Sequence, residues 1–157
     1  MMERLISRIL CPIDFSQPAM EAFQYAQELA IGTQASLLVC HAFQLPASWE
    51  LGDQTEPADE EIKEKMASLQ AALPIEKFLH AGAAGKVICW LADDQRCDMI
   101  VMGTHGRTGL RHLLFGRVAE YVLQHAHCPV MTIRKRPSRE ADHPEPVVVP
   151  LPAPRFM

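Results

Sequence analysis

The chain has no apolar run near the roughly 20 residues that cross a bilayer, and it has no basic excess, its formal net charge being −4. The first absence excludes a transmembrane helix, so no membrane role is expected. The second argues against a general nucleic-acid binder, whose phosphate contacts require a basic face. The opening residues, Met1-Met2-Glu3-Arg4-Leu5-Ile6-Ser7-Arg8, are charged and lack the apolar region of a signal peptide. A cytoplasmic location is expected. Paired cysteines are missing too. Cys11, Cys40, Cys89, Cys97 and Cys128 are odd in number, and no two have the spacing of a zinc knuckle or thioredoxin-type site. Most lie in or beside apolar runs, where a thiol behaves as a small hydrophobe. Buried free thiols are expected, with Cys97 the first candidate for any redox role. No internal repeat is present.

What remains is ordinary in composition, with 48% hydrophobic and 22% charged residues over 157 positions. That length suggests one domain. A chain of this size buries about 68–70% of its unfolded surface, so it needs no metal or disulfide to fold. Apolar runs alternate with helical stripes. Arg8 to Asp14 reads as a buried strand, with Pro12 near its end because proline cannot donate to a ladder. Ser16 is an N-cap candidate and Pro18 suits the first turn of a helix. Ala22, Phe23, Ala26, Leu29 and Ala30 form that helix's apolar stripe, and Gly32 is the expected stop. Ala35 to Ala42 is a second buried strand. After a polar loop, the acidic Asp59, Glu60 and Glu61 suit the positive end of a helix. Its inward face is Ile62, Met66, Leu69 and Leu73. Ile75 to His80 reads as an edge strand. Val87, Ile88, Leu91 and Ala92 mark a third helix. Asp98 to Met102 is the clearest strand. A fourth helix from about Gly116 turns Val118, Ala119, Val122, Leu123 and Ala126 inward. Val130 to Arg134 is a last strand.

The alternation βαβαβαβαβ implies a parallel sheet with helices on both faces. Ligands of such sheets bind beyond the carboxyl ends of the strands, where strand order reverses. Beyond the last strand the composition changes. Pro137, Pro144, Pro146, Pro150, Pro152 and Pro154 account for half of the 12 prolines. Such a segment builds no packed core, and an extended or disordered tail is expected. Val147-Val148-Val149 is a candidate for strand addition to a sheet edge. The domain is assigned to residues 1–135 and the Pro-rich tail to residues 136–157.

Chemistry concentrates between Gly103 and Val118. Glycines let a backbone turn sharply and approach a ligand. Free N–H groups at a helix N-terminus attract phosphate. Arg107, Arg111 and Arg117 bring positive charge, and guanidinium matches phosphate geometry. These features point to a phosphate-bearing ligand. The alternative is a tight turn whose glycines serve packing and whose arginines face water. His105 lies in the same loop and is a candidate for approaching phosphate.

Gly103-x2-Gly106-x9-Gly116 resembles the Gly-x2-Gly-x9-Gly-(Ser/Thr) signature of the universal stress proteins. Ile9-Leu10-Cys11-Pro12-Ile13-Asp14-Phe15-Ser16 resembles that family's first strand and turn. His125-Ala126-His127-Cys128-Pro129-Val130 resembles its approach to the last strand. The resemblance implies an open, doubly wound, five-stranded parallel sheet of order 3-2-1-4-5, of the adenine nucleotide alpha hydrolase-like kind. It implies a site for ATP or AMP, with Mg²⁺ as a possible companion. In that site Asp14 meets the ribose, and Ala42 offers backbone to adenine. Pro12 and Ile13 line the adenine side. Gly103, Gly106, Gly116, Arg117 and Val118 hold the phosphates, and Met102, His105 and Arg107 are counted with the nucleotide-binding residues. It further implies a homodimer through the last strand, Val130, Met131, Thr132, Ile133 and Arg134. One position departs from the signature: Arg117 stands where the family has Ser or Thr. A hydroxyl donor is lost there, while the backbone N–H stays.

Three functions follow. The leading one is a regulatory nucleotide-binding module in a stress response, which changes its partner surface on binding. A second is a nucleotide-free dimeric stress or interaction protein whose pocket Arg117 disables. A third is a slow ATPase, for which no clear base for water is visible. Gly82 to Lys86 is too short for a P-loop. His125, His127 and Cys128 lack the alignment and fourth ligand of a metal site. His41, at the end of a buried strand, is expected to be a hydrogen-bonded, partly buried histidine.

Overall fold

The computed structural model describes residues 5–45, 60–104 and 115–134. Within them the chain runs β1 (Arg8–Pro12), α1 (Gln17–Thr33), β2 (Ser36–Phe43), α2 (Glu60–Ser68), β3 (Ile75–Ala81), α3 (Ala84–Asp94), β4 (Met99–Gly103), α4 (Arg117–His125) and β5 (Val130–Ile133). The five strands form one sheet of order β3-β2-β1-β4-β5, and every pairing is parallel. The order and class expected from the sequence hold, and β3 lies at an edge as expected. The Pro-rich tail and Val147 to Val149 lie outside the described residues.

Parallel strands are covered on both faces, so alternate side chains enter two cores. Ile9 and Cys11 of β1 join Leu37 and Val39 of β2 beneath Phe23, Ala26 and Ala30 of α1 and Met66 of α2. Leu10 joins Leu38, Cys40, Ile100 and Met102 beneath Ile88 and Leu91 of α3 and Ala119 and Val122 of α4. The small residues of α1 let that helix lie close to the sheet. Its start follows the sequence signal: Ser16 accepts from the Ala19 N–H, and proline stands in the first turn.

Several boundaries differ from the sequence reading. Gly32 lies inside α1, and Gln34 supplies the left-handed cap at φ 57°, its N–H reaching the Ala30 and Ile31 carbonyls. β1 ends at Pro12 rather than Asp14, and Asp98 precedes β4. Leu69 and Leu73 pack on the core from beyond the end of α2. α4 is only nine residues long. It buries the narrow stripe of Ala119 and Val122, so Val118 and Leu123 are exposed rather than inward.

α3 and α4 meet at Gly85. A Cβ there would lie 2.5 Å from Tyr121 Cδ1 and 2.8 Å from Tyr121 Cγ. These atoms stand at the base of a ring, not at the end of a flexible chain. Glycine inside a helix costs up to about 1 kcal/mol against alanine, whereas overpacking costs about 1–3 kcal/mol. The clash therefore outweighs the helix-propensity gain. Gly85→Ala is expected to lower unfolding free energy by about 1–2 kcal/mol in urea titration. In a Tyr121→Ala background the same change is expected to become neutral or stabilising.

The thiols follow their burial. Cys11, Cys40 and Cys97 are buried, and Cys89 and Cys128 are half-buried. Burial raises the Cys11 thiol, pushes Cys40 up to about 12 and pushes Cys97 up to about 11. Cys97 is thus an enclosed thiol whose ionisation burial disfavours, which argues against the redox role expected of it. The folded state holds these protons while the unfolded chain releases them above the ordinary thiol value of 9.0. Stability present below about 9 is therefore expected to fall as pH rises toward about 12. At pH 8 a thiol reagent is expected to reach Cys89 and Cys128 at most in the native protein, and all five cysteines once it is unfolded. Rapid native labelling of Cys97 would contradict this.

Candidate functional site at the carboxyl edge of the sheet

Strand order reverses around β1, which pairs with β2 on one side and β4 on the other. The register fixes what meets at the edge. Pro12 pairs with Cys40, and Leu10 with Ile100. Asp14, Ala42 and Thr104 lie at or just past the carboxyl ends of these three neighbouring strands. Three segments far apart in the chain thus leave the sheet at one edge.

Each segment is held there. The Ile13 N–H donates to the Cys40 carbonyl at 2.8 Å. His41 Nδ1 lies 2.8 Å from the Ile13 carbonyl. Asp14 then turns its carboxylate toward the start of α1: Oδ1 accepts from the Ser16 N–H at 3.0 Å and from the Ser16 hydroxyl. On the other side Thr104 is buried, and its N–H donates to the Ile133 carbonyl at 3.3 Å. The Thr104 carbonyl accepts from the Gly116 N–H at 2.7 Å. That bond ties the end of β4 to the N-cap of α4. Gly116 provides no side-chain cap, so the first N–H groups of α4 take no bond from it. The structure thus gathers Pro12, Ile13, Asp14, Ala42, Met102, Gly103, Gly116, Arg117 and Val118 around one edge. His105, Gly106 and Arg107 lie outside the described residues.

Gly103 has a reason that the sequence reading did not supply. A Cβ there would lie 3.0 Å from the Pro18 carbonyl oxygen and 3.3 Å from the Ala19 nitrogen. The close approach at this glycine is to the first turn of α1. Pro12, Ile13 and Met102 are buried, and Asp14 is half-buried. Arg117 and Val118 are exposed, so the departure from the Ser/Thr signature stands on the surface of the first turn of α4. The sequence reading missed the Thr104–Gly116 link and the two bonds from β2 to Ile13.

Chemically the edge offers a carboxylate acceptor at Asp14 and backbone donors at the start of α4. A carboxylate accepts from hydroxyls, and helix N-termini favour anions. A magnesium ion takes one or two carboxylates with phosphate oxygens supplying the rest. Asp14 fits that use only beside a phosphate. Among the described residues, no group of three or more His, Cys, Asp or Glu side chains is placed to hold a metal. His125 Nδ1 lies 2.8 Å from the Tyr121 carbonyl, and His127 Nδ1 lies 2.9 Å from Asp93 Oδ2. No described helix is long and apolar enough to cross a membrane.

Comparison with known proteins agrees with this architecture. The model of the universal stress protein family matches residues 6–134. A universal stress protein of Methanocaldococcus jannaschii is 35% identical over 150 residues, covering 88% of this chain and 87% of that protein. A universal stress protein of Archaeoglobus fulgidus in complex with dAMP has a TM-score of 0.61 at 19% identity, covering 84% of this chain and 100% of that one. A universal stress protein in complex with cAMP has a TM-score of 0.62 at 18% identity, covering 83% of this chain and 98% of that one. At these identities the two structures speak for the fold alone. Taken with the sheet order and the length of the match, the sequence similarity establishes that this chain belongs to the universal stress protein family.

Proposed function

We propose that the chain is a regulatory module that binds an adenine nucleotide, AMP or ATP, at the carboxyl edge between β1 and β4. The observation that carries this reading is the convergence of the carboxyl ends of β2, β1 and β4 at one sheet edge, with the start of α4 tied to Thr104 at 2.7 Å. Asp14 accepts a ribose hydroxyl. The Ala42 backbone meets adenine, with Pro12 and Ile13 on the same side. The N–H groups of Arg117 and Val118 face phosphate, with Met102, Gly103, His105, Gly106 and Arg107 completing the phosphate side. Family members solved with cAMP and dAMP support the ligand class. Arg117 is exposed, which favours a usable pocket over a blocked one.

The same reading includes a homodimer through β5. It rests on the edge position of the Val130-Met131-Thr132-Ile133 strand, with Arg134 just beyond it and Met131 38% exposed. Sedimentation at micromolar concentration is expected to give a dimer, and Met131→Asp a monomer. A wild-type monomer under those conditions would overturn the dimer.

Nucleotide released by denaturing the purified protein, identified by mass, gives the first test. Calorimetric titration of the emptied protein with AMP and ATP gives the second. Micromolar binding is expected. Asp14→Ala is expected to weaken it about 10- to 100-fold, since a hydrogen bond to a charged group contributes about 1.5–3 kcal/mol. An empty protein that binds neither AMP, ATP nor cAMP at millimolar concentration would sink the proposal.

A further inference from the structure

The segment between β1 and α1 bends sharply while both its neighbours are packed. β1 stops at Pro12, which has no N–H to give. Ile13 follows and is 4% exposed. Beyond a strand end the ladder no longer satisfies the backbone, and a buried polar group left unpaired costs about 1–3 kcal/mol. Here two consecutive residues of β2 hold both polar groups of Ile13. The Cys40 carbonyl accepts its N–H at 2.8 Å, and His41 Nδ1 lies 2.8 Å from its carbonyl. A carbonyl only accepts, so Nδ1 carries the proton and donates. On the far side of Asp14, Phe15 adopts φ 61°. That left-handed backbone is uncommon for a bulky residue, and such a residue costs of order 1–3 kcal/mol unless its surroundings hold it. The Phe15 ring sits against the His41 ring, with centroids 5.6 Å apart and planes at 46°. His41 is itself buried. One side chain therefore touches the residue before Asp14 and the residue after it.

We infer that His41 is a positioning residue that sets the direction of the Asp14 carboxylate, acting through the Ile13 carbonyl and the Phe15 ring. This rests on the nucleotide reading for its consequence, since a fixed Asp14 is what a ribose hydroxyl would meet. Asp14 Oδ1 accepts the Ser16 N–H at 3.0 Å, so the protection of that amide reports the carboxylate's placement without any ligand. The donor is specific in position. Asparagine places an amide nitrogen where Nδ1 stands, glutamine carries it one bond farther out, and phenylalanine keeps the ring without a donor.

The test measures three quantities on wild type, His41→Asn, His41→Gln and His41→Phe: the Kd for AMP, the exchange rate of the Ser16 amide, and the Tm. His41→Phe is expected to raise the Kd at least tenfold and to speed Ser16 exchange at least tenfold. His41→Gln is expected to behave the same way, and serves in its place should the phenylalanine variant not fold. His41→Asn is expected to stay within threefold of wild type in both. Rescue by asparagine with glutamine failing at a similar Tm separates positioning from packing. Wild-type Kd and Ser16 exchange in the phenylalanine or glutamine variant would overturn the inference. So would an asparagine variant as impaired as glutamine. If wild type binds no AMP, the nucleotide reading fails, and Ser16 exchange alone decides whether His41 positions Asp14.

Discussion

The pinning of β1 at both ends governs what the carboxyl edge can become. Ile9, Leu10 and Cys11 are fully enclosed, so every backbone group of this strand must find a partner inside the protein. At its start, Asp98 Oδ2 accepts the Ser7 and Arg8 N–H groups at 2.8 and 2.9 Å, and the Asp98 N–H returns a bond to the Arg8 carbonyl at 2.8 Å. At its end, β2 takes over both polar groups of Ile13. A strand fixed at both ends cannot slide, because a one-residue slip would exchange its two core faces. The meeting of Asp14, Ala42 and Thr104 at one edge follows from that fixed register.

The chain order and sheet composition were legible in the sequence for a physical reason. Strands buried on both faces read as unbroken apolar runs, and Leu37-Leu38-Val39-Cys40, between Ser36 and His41, and Met99-Ile100-Val101-Met102, between Asp98 and Gly103, carry that signal. The Ser16 cap was legible because a hydroxyl three residues ahead of an N–H is a local signal. The α1 terminus was not: Gln34 is left-handed only because the chain must turn into Ala35, whose N–H is taken by the Ala30 carbonyl at 2.9 Å. The inward face of α4 was misread in part, since a helix of nine residues presents a narrower stripe than its apolar content suggests.

The candidate site divides along the same line. Asp14 and Gly103 were placed by topology, which follows from the order of the elements. The bonds that hold them were not readable. The bond from the Gly116 N–H to the Thr104 carbonyl joins residues twelve apart in the chain, and the His41 ring to the Ile13 carbonyl joins the ends of two strands. Each ends on a backbone acceptor, which every residue type possesses. No residue pattern can announce such a bond, although a histidine ending a buried strand is a polar group that must find some partner.

The glycine spacing then has two physical parts. Its first glycine is favoured by packing, because a Cβ at Gly103 would press on the Pro18 carbonyl of α1. Its last glycine caps α4 without a side chain and gives its own N–H to the Thr104 carbonyl just past β4. The signature therefore joins a packing requirement to a backbone-donor requirement, and neither uses the side chain at position 117. An anion at the helix start would meet N–H groups that belong to the backbone, so their number is the same for Arg117 as for serine. The arginine replaces one hydroxyl donor by a longer, permanently charged one on an exposed first turn. What the departure alters is the reach and charge of that donor, while the frame that presents it is unchanged.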